Sequence, residues 1–462
     1  MKTTLLPYIL FIFLSLSFSC YSQLFSSKKN ISSTGSSPFV IQSGNLDNDN
    51  LPDILIGTLS STVEWYKNNG DATFSKQKDI SNNLRYVKSV AIADLDLDNH
   101  NDIIAISNID NQLVWFKNDG NGNFGSAKLI SSALDRPVVI KTGKFDNNNS
   151  IDIAVADYEG NQIVCFTNNG SGNFSSGKVI ITPPVIAKPG DIDLADYDKD
   201  GDLDVVVAYS QTKNVFVYYN DLGQTGLLNF TTSEFVAGGI SGITDVSFSD
   251  IDNNNQLDIL VVAGSSNIVN WYSREASENH VANSITSSNM PYNALVGDLN
   301  NNNKQDIVLS YASTNVADQI SYFESSNSGT FMTESIIDNT QDDIIFTIND
   351  FDNDGDLDIA SVAKNESTLS WFENQTINSK SLSNSNFETT PIKFYPNPTK
   401  SVLYFENLHN SNKNITIYNI LGRKVMSSKI NNSNTLDVSK LSNGLYIIRF
   451  IETNTSVKFI KE

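Results

Sequence analysis

Short apolar runs alternate with polar turns along most of this chain. Ile54-Leu55-Ile56, Ile103-Ile104-Ala105-Ile106 and Val205-Val206-Val207-Ala208 are rich in β-branched residues and are bounded by Asn, Asp and Gly. Such runs read as short, fully buried strands. A second run follows each, ending in an aromatic pair: Trp65-Tyr66, Trp115-Phe116, Tyr218-Tyr219, Trp271-Tyr272, Tyr322-Phe323 and Trp371-Phe372, with Cys165-Phe166 in the third copy. A glycine-rich turn and a phenylalanine come next in several copies, as in Asn118–Phe124 and Asn168–Phe174, and then a polar strand. The unit is therefore four short strands, and it restarts about every 50 residues.

Four-stranded sheets repeated at that period predict an all-β, seven-bladed β-propeller over residues 23–374, with the aromatic positions packed between blades. The seventh copy ends at Trp371-Phe372-Glu373-Asn374 without a fourth strand. Phe25–Ser32 (FSSKKNIS) resembles the fourth strands Phe74–Ser81 and Phe124–Ser131. The N-terminal strand is therefore expected to complete the last blade and leave no free sheet edge.

Between the first two strands of every unit lies a nine-residue loop. Position 1 is an acid or a substitute, positions 3 and 5 are Asp or Asn, position 6 is Gly or Asn, and position 9 is Asp. The candidate ligands are Asn45, Asp47, Asp49 and Asp53 in copy 1, and Asp94, Asp96, Asp98 and Asp102 in copy 2. Copy 4 offers Asp196, Asp198, Asp200 and Asp204; copy 5 offers Asp250, Asp252, Asn254 and Asp258. Copy 6 offers Asp298, Asn300, Asn302 and Asp306; copy 7 offers Asp350, Asp352, Asp354 and Asp358. Calcium takes six to eight hard oxygen ligands, and alternating carboxylates and amides can converge on one such ion, with a backbone carbonyl from position 7. The chain must turn sharply at position 6, where Asn50, Asn99, Asn149, Gly201, Asn255, Asn303 and Gly355 suit a left-handed conformation. Position 2 is always apolar and position 10 always β-branched, so each loop joins two strands.

Ligand charge tunes affinity. Copies 2, 4 and 7, with four carboxylates each, are expected to bind calcium most tightly. Copies 1 and 5 exchange one carboxylate for an amide, and copy 6 retains two acids. Copy 3 places Lys144 at position 1 beside Asp146, Asn148 and Asp152. It is expected to be weak or empty, its ammonium replacing the ion.

The formal net charge of -21, from 52 Asp and Glu against 31 Lys and Arg, excludes a nucleic-acid partner and suits cation binding. Residues 1–22 read as a secretory signal: Lys2, then an apolar run from Leu5 to Phe18, with a cut near Ser22–Gln23. A lipoprotein signal would use Cys20, but the bulky Phe18 fits that motif poorly. No other segment is apolar enough to cross a membrane. Cys165 is then the one thiol of the mature chain, and metal ions rather than disulfides would staple an exported domain.

Residues 24–374 resemble the FG-GAP/VCBS-repeat propellers, a class that includes the integrin α-subunit head. The resemblance rests on the acidic loops, which match apart from Lys144 and the amide substitutions. It implies calcium in the loops and a binding or adhesion function toward a glycan or protein. Residues 375–386 are rich in Ser and Asn and read as a linker. In 387–462 the charge balance reverses, and alternations such as Val402-Leu403-Tyr404-Phe405 predict a small β-sandwich. Its ordered motifs are Tyr395-Pro396-Asn397-Pro398, Ile415–Gly422, Leu436-Asp437-Val438-Ser439 followed by Leu441–Tyr446, and Lys458-Phe459-Ile460-Lys461. These resemble the type A C-terminal sorting domain of the Bacteroidetes type IX secretion system. That resemblance implies export to the surface or medium of a Gram-negative cell, recognition by the secretion machinery, and cleavage by its sortase-like peptidase.

No catalytic constellation stands out. His100, His280 and His409 are far apart in sequence, and no Ser/His/Asp, Cys/His or zinc-spaced set is present. A non-catalytic binding module is expected. The alternative is a propeller-fold polysaccharide lyase or hydrolase using a Lys, Tyr or Glu outside the loops.

Overall fold

The computed structural model describes residues 24–376, apart from 35–36, 71–72, 82, 275–279, 286–289, 313–317, 327–328 and 342–343. It also describes 393–462, apart from 407–413, 420–422, 431–433 and 451–455. The signal reading for 1–22 lies outside the described residues, as does most of the linker reading for 375–386. The chain divides into two units after Ser381.

The first repeat sets the pattern. Strand β1 (Lys29–Ser33) is followed by β2 (Pro38–Gly44), β3 (Asp53–Thr58), β4 (Val63–Asn68) and β5 (Phe74–Lys76), and β2 to β5 form one antiparallel sheet. Among the described residues the first unit contains seven such four-stranded sheets. The first strand of each packs against the first strand of the next, and Ile344–Asn349 of the last packs back on β2. This is a propeller ring. As expected, β1 supplies the fourth strand of the last sheet by pairing with Thr368–Phe372. Ser26 N–H donates to Glu373 O (2.7 Å), and Gln375 N–H to Leu24 O (2.8 Å). Phe25 is buried edge-on against Tyr322.

The second strand of every sheet is buried along all six residues, which explains why these segments are continuously apolar rather than alternating. The position-2 and position-10 side chains are buried in all seven copies. The aromatic strand packs between sheets. Trp65 meets Phe124 of the next sheet edge-on at 5.8 Å, and Trp115 meets Phe174 at 6.3 Å. Gly122 and Gly172 explain the glycine in that turn: each has positive φ, and a Cβ there would lie 2.0 Å from the ring of Trp65 or Trp115.

One register differs from expectation. Val205 pairs with Tyr218 and Val206 with Val217, whereas Leu55 pairs with Trp65 and Ile104 with Trp115. In the fourth copy Val217 therefore fills the tryptophan slot, and Tyr219 moves out beside the acidic loop. The run Val215-Phe216-Val217-Tyr218-Tyr219 offers three aromatics, so residue type alone did not fix the register. Cys165 does fill the tryptophan slot of its copy and is a free, buried thiol whose pKa burial pushes up.

In the second unit, Lys393–Tyr395, Val402–Glu406 and Thr435–Asp437 form one sheet. Lys424–Lys429, Asn414–Asn419, Gly444–Phe450 and Ser456–Lys461 form another. Leu403 and Phe405 from the first share a core with Ile415, Ile417, Ile448 and Phe450 from the second, giving the expected sandwich. Among the described residues no helix is long and apolar enough to cross a membrane.

Candidate metal centres

Each acidic loop is built by its own side chains folding onto its own backbone. Position 6 has positive φ in all seven copies, from 64° to 98°. Position 4 is left-handed as well in six copies, at Asn48, Leu97, Lys199, Asn253, Asn301 and Asn353; copy 3 lacks this second left-handed residue. Position 5 caps the loop in every copy by accepting the N–H of position 7, as Asp49 does from Leu51 (3.0 Å) and Asp354 from Asp356 (3.1 Å). In copies 2, 5, 6 and 7 position 1 accepts the N–H groups of positions 5 and 6, and in copy 4 Asp196 accepts that of position 6. In copy 7, Asp350 takes Asp354 N–H at 3.0 Å and Gly355 N–H at 2.9 Å.

The aspartate at position 9 is fully buried in all seven copies. One carboxylate oxygen accepts the position-2 N–H of its own loop. In six copies the other accepts the N–H of a residue at the end of the aromatic strand, the second after its last ring in five of them and Asn220, directly after Tyr219, in copy 4; Asp53 thus accepts from Leu46 and from Asn68, both at 2.8 Å. This aspartate therefore clamps the loop to two strands whether or not it also touches an ion, a role not apparent in the sequence.

A residue the sequence reading missed ties the loops together between sheets. Asn118, Asn168 and Asn374 each donate Nδ2 to the position-2 carbonyl of the preceding copy: Leu46 (2.7 Å), Leu95 (2.6 Å) and Leu299 (2.7 Å). Asn68 does the same to Phe351 O (2.7 Å) and so joins the first sheet to the last.

Four copies bring three carboxylates together. Ligand atoms of Asp94, Asp96 and Asp102 lie within 4.8 Å of one another, as do those of Asp196, Asp198 and Asp204, of Asp250, Asp252 and Asp258, and of Asp350, Asp352 and Asp358. Position 5 is absent from these triplets: it is the amide Asn254 in copy 5, and in copies 2, 4 and 7 one of its carboxylate oxygens caps the backbone. These loops suit a hard divalent cation on two observations. Asn45 Oδ1, Asp47 Oδ1, Asp96 Oδ1, Asp196 Oδ1, Asp258 Oδ1, Asp352 Oδ1 and Asp354 Oδ2 are buried without a hydrogen-bond partner. Buried acceptors left this way are costly unless a cation satisfies them. The buried carboxyls are also hard to ionise. Burial, with help from neighbouring loop carboxylates, pushes Asp53, Asp204 and Asp258 up to about 7 and Asp358 up to about 8. Asp102 and Asp306 rise to about 6. A cation in the loop relieves both costs.

Lysines change the order of the copies. Lys67 pairs with Asp47 and, at 2.9 Å, with Asp49; Lys117 pairs with Asp96 and, at 3.0 Å, with Asp98. Both lysines directly follow the aromatic pair, a register occupied by Glu373 in copy 7. The stand-in ammonium expected in copy 3 is thus found in copies 1 and 2. Lys144 itself is exposed and forms no ion pair with Asp146 or Asp152 among the described residues.

Beside copy 4 lies a second cluster. Tyr219 donates its hydroxyl to Glu234, Arg274 Nη2 is 3.3 Å from that hydroxyl, and the guanidinium lies 4.8 Å over the Tyr197 ring. His280 Nε2 is 3.0 Å from Glu234 Oε1, in a buried site that lowers its pKa. Tyr219, Glu234 and Arg274 border, with Asp198, a cavity of about 350 Å³, and His280 lies behind Glu234. They come from two sheets, so no sequence spacing reveals them.

Two family models match the chain. The FG-GAP-like repeat matches residues 45–105, 144–207 and 196–261, and the secretion system C-terminal sorting domain matches 393–462. No curated protein matches. Among solved structures, an Agrocybe aegerita lectin that recognises non-reducing terminal N-acetylglucosamine is 17% identical at a TM-score of 0.50, covering 66% of this chain and 81% of its own. Virginiamycin B lyase from Staphylococcus aureus is 13% identical at 0.51, covering 75% and 99%. BBS1N, solved in complex with ARL6DN, is 10% identical at 0.54, covering 76% and 96%. At these identities they share the fold alone. The chain carries FG-GAP-like repeats folded as a β-propeller and ends in a C-terminal sorting domain of the type IX secretion system.

Proposed function

We propose that this is a calcium-stabilised, non-catalytic binding propeller, carried by the type IX system to the cell surface or medium, where it engages a glycan or protein. In this reading residues 1–22 are the export signal, and the secretion machinery and its sortase act on residues 387–462. The observation that supports it most is the set of buried, unpartnered oxygens in the acidic loops, above all in copies 4 and 7, where no lysine competes. Because the asparagines between sheets hang on loop carbonyls, an ion that orders a loop also fastens neighbouring sheets.

Metal analysis and thermal unfolding, with calcium and with a chelator, test the proposal. Free calcium at 100 times Kd contributes about 2.7 kcal/mol per site. Two strong sites would then raise the Tm by on the order of 10 °C. No bound calcium and the same Tm in chelator would reject it. The alternative, a polysaccharide lyase or hydrolase, is favoured by the Tyr219, Glu234, His280 and Arg274 cluster beside Asp198. Turnover of an acidic polysaccharide that disappears in Tyr219→Phe would establish the alternative in its place.

A further inference from the structure

The ends of the first strands remote from the acidic loops surround a second feature. There a cavity of about 630 Å³ is lined from six of the seven sheets, including Phe39, Tyr86, Lys88, Val138, Thr244 and Tyr292. It is therefore axial, at the mouth of the ring. A small adjoining cavity shares Phe39 and Tyr292 and adds Lys364 and Ile345 from the seventh sheet. The volume is in the range of small-ligand sites.

The mouth is cationic in a strongly acidic protein. Lys88 Nζ lies 3.8 Å over the ring of Phe39, and Lys364 Nζ approaches the same ring at 5.8 Å. Among the described residues Lys88 has no carboxylate partner. Burial and the nearby Lys364 lower its pKa to about 8, so it stays largely charged at neutral pH. Arg136 adds a third positive group. Two acids line the same cavity, and both are engaged. Glu159 is held by Lys188 at 2.6 Å, and Asp191 accepts Val246 N–H at 2.8 Å.

We propose that this mouth binds an acidic saccharide, with Lys88 and Lys364 receiving its carboxylate or sulfate and Phe39, Tyr86 and Tyr292 lying against its sugar rings. An unpaired, partly desolvated ammonium makes strong charge-assisted hydrogen bonds with such an anion. Half-exposed aromatic faces beside Asn108 and Ser210 suit a ring with one apolar face and many hydroxyls. The site is a ring-shaped depression rather than a groove or open sheet edge, which disfavours an extended peptide. This deepens the reading of the propeller as a binding module and is independent of the metal loops.

Calorimetric titration of the full chain in calcium tests it, with four probes: an oligogalacturonate, a sulfated glycosaminoglycan oligosaccharide, a neutral galactose oligomer and an Asp/Glu-rich peptide. One or both acidic saccharides should bind, and whichever does identifies the anion. Their affinity should fall as salt rises and exceed that of the neutral oligomer by about tenfold or more. Lys88→Ala should weaken binding by about tenfold, and Lys88→Arg should retain most of it. The calcium-dependent Tm rise should be the same in both variants, which shows that they fold. Lack of binding by either acidic saccharide, unchanged affinity in Lys88→Ala, or tighter binding of the peptide would overturn the proposal. A calcium effect that persisted through any of these results would leave the metal reading standing.

Discussion

Replacing Lys117 by Met is expected to convert copy 2 from a lysine-capped loop into a strong calcium site. In the wild type the ammonium bridges Asp96 and Asp98, about where a divalent ion would have to lie. An ion entering must displace it or sit beside it. A unit charge 4 Å from another costs about 1 kcal/mol even in bulk water, so a divalent ion beside the ammonium loses about 2 kcal/mol at the least. That is on the order of thirtyfold in affinity. Lys117 is partly exposed, so its own contribution to stability as an ion pair is about 1 kcal/mol or less. The variant should therefore be slightly less stable than wild type in chelator and clearly more stable in calcium. Native mass spectrometry at buffered micromolar calcium should count one more ion, and Lys67→Met should add another. If Lys117→Met leaves the ion count unchanged and alters affinity by less than threefold, the lysine is not a competitor. Copy 2 would then rank with copies 4 and 7, as its four carboxylates suggest.

Other expectations concern the frame. Asn68→Leu removes donors to Pro52 O (3.2 Å) and Phe351 O (2.7 Å) and strands a buried carbonyl; it should cost about 2–4 kcal/mol by denaturant unfolding. A loss under about 0.5 kcal/mol would mean that the bond closing the ring is dispensable. Gly122→Ala drives a methyl into Trp65 and adds strain at positive φ, so a loss of about 1–3 kcal/mol and a change in tryptophan fluorescence are expected. In chelator, stability should fall as pH rises from about 4 to about 8. The buried position-9 carboxyls titrate near 6 to 8 folded but near 4 unfolded, so the native state holds more protons across that window. In calcium the gap between the calcium and chelator Tm values should widen over the same range. A chelated Tm that rises with pH would contradict the assigned burial of these groups.

The loops were legible because residue type carries the backbone requirement: position 6 needs left-handed φ, and Asn or Gly appears there in every copy. Position 4 takes the same geometry in six copies but holds Leu97 and Lys199 in two of them, while Asn147 of copy 3 does not adopt it, so residue type gave no consistent signal there. Strand order and ring closure were legible because each strand ends at a repeated marker and the N-terminal strand copies its counterparts. What escaped depends on contacts between units that lie far apart in sequence. Lys67 and Lys117 look like ordinary strand-end lysines until pairing of the second and third strands sets them on the loop carboxylates. Asn118 belongs to an evident glycine-rich turn, yet its bond reaches back 72 residues to Leu46. Ligand charge alone therefore ranks these loops poorly. The residue that decides whether a loop keeps its carboxylates free is donated by the third strand: lysine in copies 1 and 2, and in copy 7 a glutamate, Glu373, which Lys29 of the closing strand holds at 2.6 Å. Repeats of nearly one acidic sequence thus differ among the described residues: copies 1 and 2 pair their loop carboxylates with a lysine of the protein itself, whereas copies 4, 5 and 7 gather three carboxylates without a lysine partner.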